Sequence, residues 1–347
     1  MESIKDASAI AITEETQVAA ARRAAADLCR RLDLSESTTA RAELIAVELA
    51  GNILNHAKRG TLYMGPTATG LGIQLIASDL GPGLGDVEQA MRDGFSTSTT
   101  PGLGLGAVRR KADSIDVYSR WNEGTVFAAT LRDRPSGDEA NVAVLSTHIE
   151  GETLNGDSWA IYPLPGRTIY LVVDGLGHGP NAAVASAAAI RVADAALAND
   201  VHISLVHIVQ RMHGPMQATR GAAILLVSVA EADGKVLCCG IGNISAVLCA
   251  PDSSTRALVS HNGTVGHRMA RVQEFEYPAS SATLLVMHSD GVSARWKPSQ
   301  YPGLLQRTPA VIAGVLYRDA VRGRDDATVL VARISPRIHP NGGEQDA

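Results

Sequence analysis

A polar break divides this chain in two. Arg132-Asp-Arg-Pro-Ser-Gly-Asp-Glu139 holds no large apolar residue, and its Pro and Gly stop regular structure on either side. Two separate cores are therefore expected, over 1–132 and 141–336. Residues 133–140 act as a linker and 337–347 as a frayed tail. A chain of 347 residues is long enough for both. The texture differs across the break. Before it, Thr16–Leu32 and Thr38–His56 have helical periodicity, and Leu71–Ser78, Ser114–Ser119 and Gly124–Leu131 read as strands. After it, strands dominate: Val142–Glu150, Ser158–Tyr162, Thr168–Val173, Ala222–Ala230, Lys235–Cys249, Thr283–His288 and Thr328–Ile334. Two helices, Pro180–Ala198 and His202–Met212, interrupt them.

Composition narrows the functions available. Hydrophobic residues make up 45% and charged residues 19%, enough to bury a core. Aromatics are only 4%, so that core must be built from Ala, Val, Leu and Ile. Lys plus Arg is 31 against 36 Asp plus Glu, a net charge of −5. With no basic run, this argues against a nucleic-acid partner. No apolar run reaches the roughly 18 residues needed to span a bilayer. The longest, Val184–Ala198, is broken by Arg191 and Asp194. The start, MESIKDASAI, lacks the order of a signal peptide. A cytoplasmic protein without a membrane partner is expected. Cys29, Cys238, Cys239 and Cys249 form no C-x-x-C and read as buried, reduced thiols.

The first half carries a polar constellation. Glu48, Asn52 and His56 lie four residues apart on a helix expected over Ala40–Ala57. Steps of four turn a helix by about 400°, so the three share a face. A solvated stripe would explain them. So would a site where an amide oxygen binds Mg²⁺ beside a phosphate and a carboxylate polarises a hydroxyl. Asp79-Leu-Gly81-Pro-Gly83 then ends a strand in a glycine turn. Gly102-Leu-Gly104-Leu-Gly106 stands before the basic stretch Arg109-Arg110-Lys111. A glycine loop opening a helix offers N–H groups to phosphate. Gly124-Thr125 follows at the start of a strand.

In that order these segments resemble the GHKL (Bergerat-fold) ATPases, in particular the RsbT-like and RsbW-like anti-sigma and switch kinases. The resemblance covers residues about 10–131. It implies that Asn52 holds Mg²⁺, Glu48 is general base and Asp79 reads adenine. ATP would also meet Gly81, Gly83, Gly102, Gly104, Gly106 and Thr125. Asp93–Thr100 looks like the short lid of the switch kinases. Such proteins phosphorylate a STAS-domain antagonist or sequester a sigma factor. No segment with an autophosphorylated His stands upstream, and His56 reads as structural.

In the second half, Asp residues sit at strand ends beside small residues: Asp157, Asp174-Gly175, Asp290-Gly291 and Asp325-Asp326. Each alone is a turn. Together, strands delivering carboxylates can build an all-oxygen site for Mg²⁺ or Mn²⁺. Two such ions can bind a phosphate and activate water. Val172-Val-Asp-Gly-Leu-Gly-His-Gly179, with the other aspartates in order, Thr219-Arg-Gly221 and Gly240-Ile-Gly-Asn243, resembles the PPM-type Ser/Thr phosphatases of the SpoIIE-like and RsbX-like branch. The resemblance implies two Mn²⁺ or Mg²⁺ ions, with Asp174 bridging them. Asp157 and the Gly175 carbonyl would serve one, with Asp290 and Asp325 (or Asp326) completing the other. The domain is shorter than its larger relatives, and Asn243 departs from their pattern. His178 lies in the glycine loop as a phosphate contact or a loop-shaping residue. His202, His207 and His213 share no face, and Trp121, Trp159 and Trp296 read as packing residues.

The expected fold is thus α+β in two domains: a Bergerat α/β sandwich with helices on one face of a mixed sheet, then an α-β-β-α sandwich. The expected function is a bifunctional regulator in bacterial partner switching. It would be an ATP-dependent Ser/Thr kinase joined to a metal-dependent phosphatase, both acting on a STAS-domain partner. A sigma factor or a signalling enzyme is a further possible partner. The alternative is an ATP-binding module that gates the fused phosphatase without kinase activity.

Overall fold

A computed structural model describes residues 5–85, 104–134, 141–269, 271–278 and 283–334. The N-terminal sheet has the order β1(Ser8–Ile12)-β2(Gly60–Pro66)-β3(Gly72–Asp79)-β5(Gly124–Arg132)-β4(Ser114–Arg120). Every pairing is antiparallel, where a mixed sheet was expected. The reason is the strand order. After the excursion beyond β3, the chain returns through β4 at the edge, so β5 fills the place beside β3 and runs against it.

Helices α1(Glu15–Arg31) and α2(Glu36–Asn52) cover one face of this sheet. The Ser35 hydroxyl starts α2 by accepting from the Thr38 N–H. Their small side chains, Ala21, Ala25, Ala42, Ala46 and Ala50, let backbone approach backbone. The helix expected over Ala40–Ala57 is not uniform. Its last turn, Ile53–Ala57, is a π-helix ended by Lys58 at φ 67°. Helix α3(Gly104–Lys111) lies against α2. Strands β1 and β2 have no clean alternation and were not foreseen.

The C-terminal part stacks two antiparallel sheets. One is β13(Phe275–Tyr277)-β10(Val236–Ile241)-β9(Ala222–Ala230)-β8(Arg167–Gly175)-β7(Asp157–Leu164). The other is β12(Thr255–Ala257)-β11(Ser245–Cys249)-β14(Thr283–His288)-β15(Ala327–Ile334)-β6(Val142–Thr147). Val172, Leu225, Val227, Leu285, Met287 and Leu330 fill the space between them. The expected strand Lys235–Cys249 is two strands in different sheets. The chain changes sheet at Gly242, whose φ of +108° an L-residue rarely adopts. All four cysteines are free and buried. Burial pushes their thiols up, to about 11 at Cys29 and about 12 at the others.

Helices α4(Pro180–Asn199) and α5(Leu205–Met216) cover the outer face of the first of these sheets. Among the described residues α4 is the one helix long and apolar enough to cross a membrane, but half of it is buried in this core. The other outer face is covered by α6(Pro309–Ala320), which the sequence reading missed. Its run, PAVIAGVLYRDA, is apolar almost all round and so has no amphipathic period. The reason is its place. One side of α6 meets β6 and β15, and the other meets β3, β4 and β5 of the N-terminal sheet. The fold is therefore continuous across the two domains: helices, sheet, sheet, α6, sheet, helices.

Polar contacts reinforce this junction. The Thr308 N–H at the start of α6 donates to Asp116 Oδ2 of β4 at 2.6 Å. Arg120 donates to the Gln300 carbonyl, and Arg318 of α6 donates to the Asp79 carbonyl at 3.3 Å. The chain start takes part as well. Lys5 donates to the Trp159 carbonyl, and Ala7 N–H to Ser146.

Gly314 gives a direct test of the junction. A Cβ there would stand 2.7 Å from Val126 Cγ1 and 2.8 Å from Ile76 Cγ2. Gly314→Val should overpack this contact and cost about 1–3 kcal/mol. Thermal unfolding should show a lower midpoint than the parent, whereas Gly214→Ala, where a Cβ would meet nothing within 4 Å and φ is not positive, should show no such loss.

Candidate functional site

The N-terminal pocket lies where α2, the β3 end, α3 and the β4–β5 turn meet. Glu48 and Asn52 stand one helical turn apart at the end of α2. His56 does not continue their line, because the π-turn adds a residue to the cycle; it is exposed. It still lies close enough to Asp79 for its charge to favour that carboxylate. Burial raises the Glu48 pKa, and a hydrogen bond with the Gly104 backbone pulls it back. So Glu48 and the first turn of α3 are in contact. The Asn52 Nδ2 is buried and has no partner among the described residues. An orphaned amide here fits a ligand that supplies the missing contact.

Asp79 ends β3. Its Oδ1 accepts from Gly81 N–H at 2.8 Å and Thr125 N–H at 3.3 Å. Burial nonetheless raises its pKa. The glycines here serve the protein's own packing as well as any ligand. Gly83 has φ +76°, and a Cβ on it would stand 2.3 Å from the Arg120 carbonyl. Gly124 has φ +86°, and its Cβ would meet the Asp79 carbonyl at 2.0 Å. Gly81 packs on Ala57. Gly104 and Gly106 open α3. Gly102 and the expected lid Asp93–Thr100 lie outside the described residues.

The C-terminal site forms where the two stacked sheets expose strand ends. Register places Asp157 opposite Asp174 on β7 and β8. Asp290 follows β14, and Asp325 and Asp326 precede its neighbour β15. Burial raises the pKa of Asp174, and the charges of Asp157, Asp290, Asp325 and Asp326 raise it further. Asp157 is raised in the same way, against hydrogen bonds from Ser289 and Thr328. Asp290 is raised by burial and by Asp325.

The two neighbours Asp325 and Asp326 are placed differently. Asp326 is buried, with Oδ1 accepting from Ile149 N–H at 2.7 Å and Oδ2 from Gly156 N–H at 2.6 Å. Its oxygens thus clamp two loops together. Asp325 accepts from the Asp326 N–H at 2.9 Å and lies half-buried beside Asp174 and Asp290. Gly175 packs against the Ala182 carbonyl of α4, leaving no room for a Cβ. His178 is bonded to Glu152 at 2.7 Å.

Among the described residues no three His, Cys, Asp or Glu side chains are arranged to hold an ion as they stand. Their chemistry fits one all the same. The Asp157 Oδ2 is buried without a hydrogen bond, and the carboxylates repel one another. A divalent cation would relieve both, and oxygen donors suit Mg²⁺ or Mn²⁺.

Several residues act by positioning, a role the sequence reading gave to none of them. Asn155 Oδ1 accepts from the Asp157 N–H, and its Nδ2 donates to Asp6 and Ser146. An Asn two residues before an Asp was the available signal. Asn243 donates to Asp290 Oδ2 at 2.6 Å, so it orients that carboxylate. Ser289, Thr328 and Arg318 left no signal, because only the fold brings them to these sites.

Two family profiles match this architecture. The Histidine kinase-like ATPase domain matches residues 11–131, and Stage II sporulation protein E (SpoIIE) matches residues 165–335. Through its first half the chain belongs to the RsbT-related family of histidine kinase-like ATPase domains, and a SpoIIE/PPM-type domain is joined to it. Its first half is similar to the serine/threonine-protein kinase RsbT of Bacillus subtilis (strain 168), 34% identical over 128 residues, or 36% of this chain and 96% of that protein. Among solved structures, one titled "The bacterial stressosome: a modular system that has been adapted to control secondary messenger signaling" is 26% identical. It covers 56% of this chain and 98% of that one, with a TM-score of 0.51. RsbX in complex with magnesium is 20% identical over 56% of this chain and 94% of that one, with a TM-score of 0.48.

A carboxylate whose folded pKa is raised costs stability once the pH rises above its unfolded value, near 4. Asp157, Asp174 and Asp290 all act in this direction. A cation removes that cost. The rise in thermal midpoint produced by Mn²⁺ should therefore grow between pH 5.5 and pH 8. In Asp174→Asn both the rise and its pH dependence should shrink.

Proposed function

We propose that this chain is a bifunctional regulator of a bacterial partner-switching pathway. Residues 1–132 form an ATP-dependent Ser/Thr kinase, and residues 141–336 form a metal-dependent Ser/Thr phosphatase. Both act on a STAS-domain protein. The observation that carries the phosphatase reading is the mutual repulsion of buried carboxylates at the strand ends. The SpoIIE match over residues 165–335 supports it.

Asp157, Asp174, the Gly175 carbonyl, Asp290 and Asp325 are the groups that would hold two Mn²⁺ or Mg²⁺ ions. The ions supply Lewis-acid charge stabilisation for phosphate-ester hydrolysis. Asn243 holds Asp290 in its orientation, and Asn155 fixes the backbone at Asp157. Asp326 pins the loops that carry the site and is not itself a ligand in this reading.

In the kinase half, Asn52 would hold the Mg²⁺ that accompanies ATP, which offsets phosphate charge. Asp79, oriented by Gly81 and Thr125, accepts from the adenine amine. The N-terminal turn of α3 faces the phosphates with its free N–H groups. Glu48 takes the proton from the attacking hydroxyl. Burial raises its pKa, which strengthens it as a base.

One observation favours a second reading, in which nucleotide gates the phosphatase. Arg318, in the last turn of α6, touches the Asp79 carbonyl, and the chain leaves α6 at that same end for the loop before Asp325.

Three measurements test these readings. Asp174→Ala should abolish Mn²⁺-dependent release of phosphate from a phosphoserine protein, and unchanged turnover would refute the phosphatase. Label transfer from ATP to STAS proteins should vanish in Glu48→Ala and in Asn52→Ala. ATP binding by the parent chain without any transfer, together with phosphatase rates that differ between ATP and ADP, would favour the gate.

A further inference from the structure

We propose that Arg220 is the side chain that grips the substrate's phosphoryl group at the C-terminal site. The proposal rests on the phosphatase reading above. Arg220 lies on the short connection between α5 and β9. This loop is shaped rather than loose. The Gly221 N–H donates to Thr219 Oγ1 at 3.0 Å, and Thr219 N–H donates to the Met216 carbonyl. Gly221 has φ +76°, and Val265 and His267 fill the space beside it.

The loop is tied to the aspartate loop. Leu176 N–H donates to the Gly221 carbonyl at 3.0 Å. Arg220 Nη1 lies 3.0 Å from the point where a Cβ on Gly177 would stand. Gly177 follows Asp174 by three residues. Its carbonyl lies against Gly156, the neighbour of Asp157. The guanidinium thus lies against Gly177, in the loop that follows Asp174.

Charge balance gives this cation a task. The carboxylates of Asp157, Asp174, Asp290 and Asp325 would be neutralised by two divalent cations. A phosphomonoester then adds a dianion with nothing left to offset it. Two other basic groups nearby are already engaged. Arg322 acts on Asp290, whose carboxyl its charge pulls down, and His178 is bonded to Glu152. Arg220 is exposed and has no hydrogen bond or ion pair among the described residues. Its planar fork matches two phosphoryl oxygens at once, which a lysine cannot do.

The test compares the full chain with Arg220→Ala and Arg220→Lys. Para-nitrophenyl phosphate with Mn²⁺ reads catalysis, and inorganic phosphate reads binding. Phosphate binding is followed as product inhibition and as a shift in thermal midpoint with Mg²⁺ present. Arg220→Ala should raise KM and weaken phosphate inhibition by roughly tenfold, the effect of one charge-assisted bidentate contact. Its kcat should change much less, and the Mn²⁺ concentration for half-activation should hold. Arg220→Lys should recover part of the loss. KM and phosphate affinity within about twofold of the parent in Arg220→Ala would overturn the proposal. So would a fall in Mn²⁺ affinity with KM unchanged, which marks a structural role. If the parent chain hydrolyses no phosphomonoester, the phosphatase reading fails instead. The phosphate-induced midpoint shift, lost or kept in Arg220→Ala, then still decides whether Arg220 binds phosphate.

Discussion

Helix α6 is buried on both sides, and the relation between the two halves depends on that. Val311, Ile312, Val315 and Leu316 are almost wholly removed from water. Burying a side chain of this size contributes about 1.5–3 kcal/mol. One side of the helix packs on the β6–β15 sheet and the other on the N-terminal sheet. Neither half could withdraw without exposing an apolar helix. The start of the helix is also tied to the other domain, since Asp116 accepts from the N–H of Thr308, the residue before its first turn. The N-terminal sheet and the β6–β15 sheet are thereby fixed to one common element.

That element reaches toward both sites. At the nucleotide end Arg318 contacts the Asp79 carbonyl, and a bidentate pairing with Asp319 holds its guanidinium. At this same C-terminal end the chain leaves α6 for Arg322, whose N–H donates to the Gly291 carbonyl, and then for Asp325. Tyr317 reaches from α6 to Thr147 at 2.5 Å and to the Ala327 carbonyl. Both sites thus border the same end of one helix.

The aspartate cluster shows how a fold stores unfavourable charge. Each of Asp157, Asp174 and Asp290 is held in surroundings that favour its neutral form. Such an arrangement persists only where surrounding structure over-determines it. The clamp formed by Asp326, with the Asn155 and Asn243 contacts, supplies that determination. A divalent cation bound there would relieve this repulsion, because metal binding and loss of protons are linked.

Much of this was legible in the chain. The polar break, the Asp-Gly pairs at strand ends and the glycine turns after Asp79 are local patterns, and local patterns survive in one dimension. Strands such as Ala222–Ala230 and Thr283–His288 declared themselves by length and composition alone. What the chain could not declare was anything set by non-local contact. The split of Lys235–Cys249 between two sheets depends on which neighbours each piece meets. The π-turn after Asn52 replaces a straight helix. The choice of Asp326 as clamp over its neighbour depends on amides from residues 149 and 156. Helix α6 is the clearest case. Buried on both faces, it has no periodic signature, because periodicity records a boundary with water and here that boundary is absent. The sequence by itself determined which chemical groups are available and which short segments carry them. The tertiary structure alone decided which groups meet, since burial, repulsion and close approach arise only when distant segments share the same space.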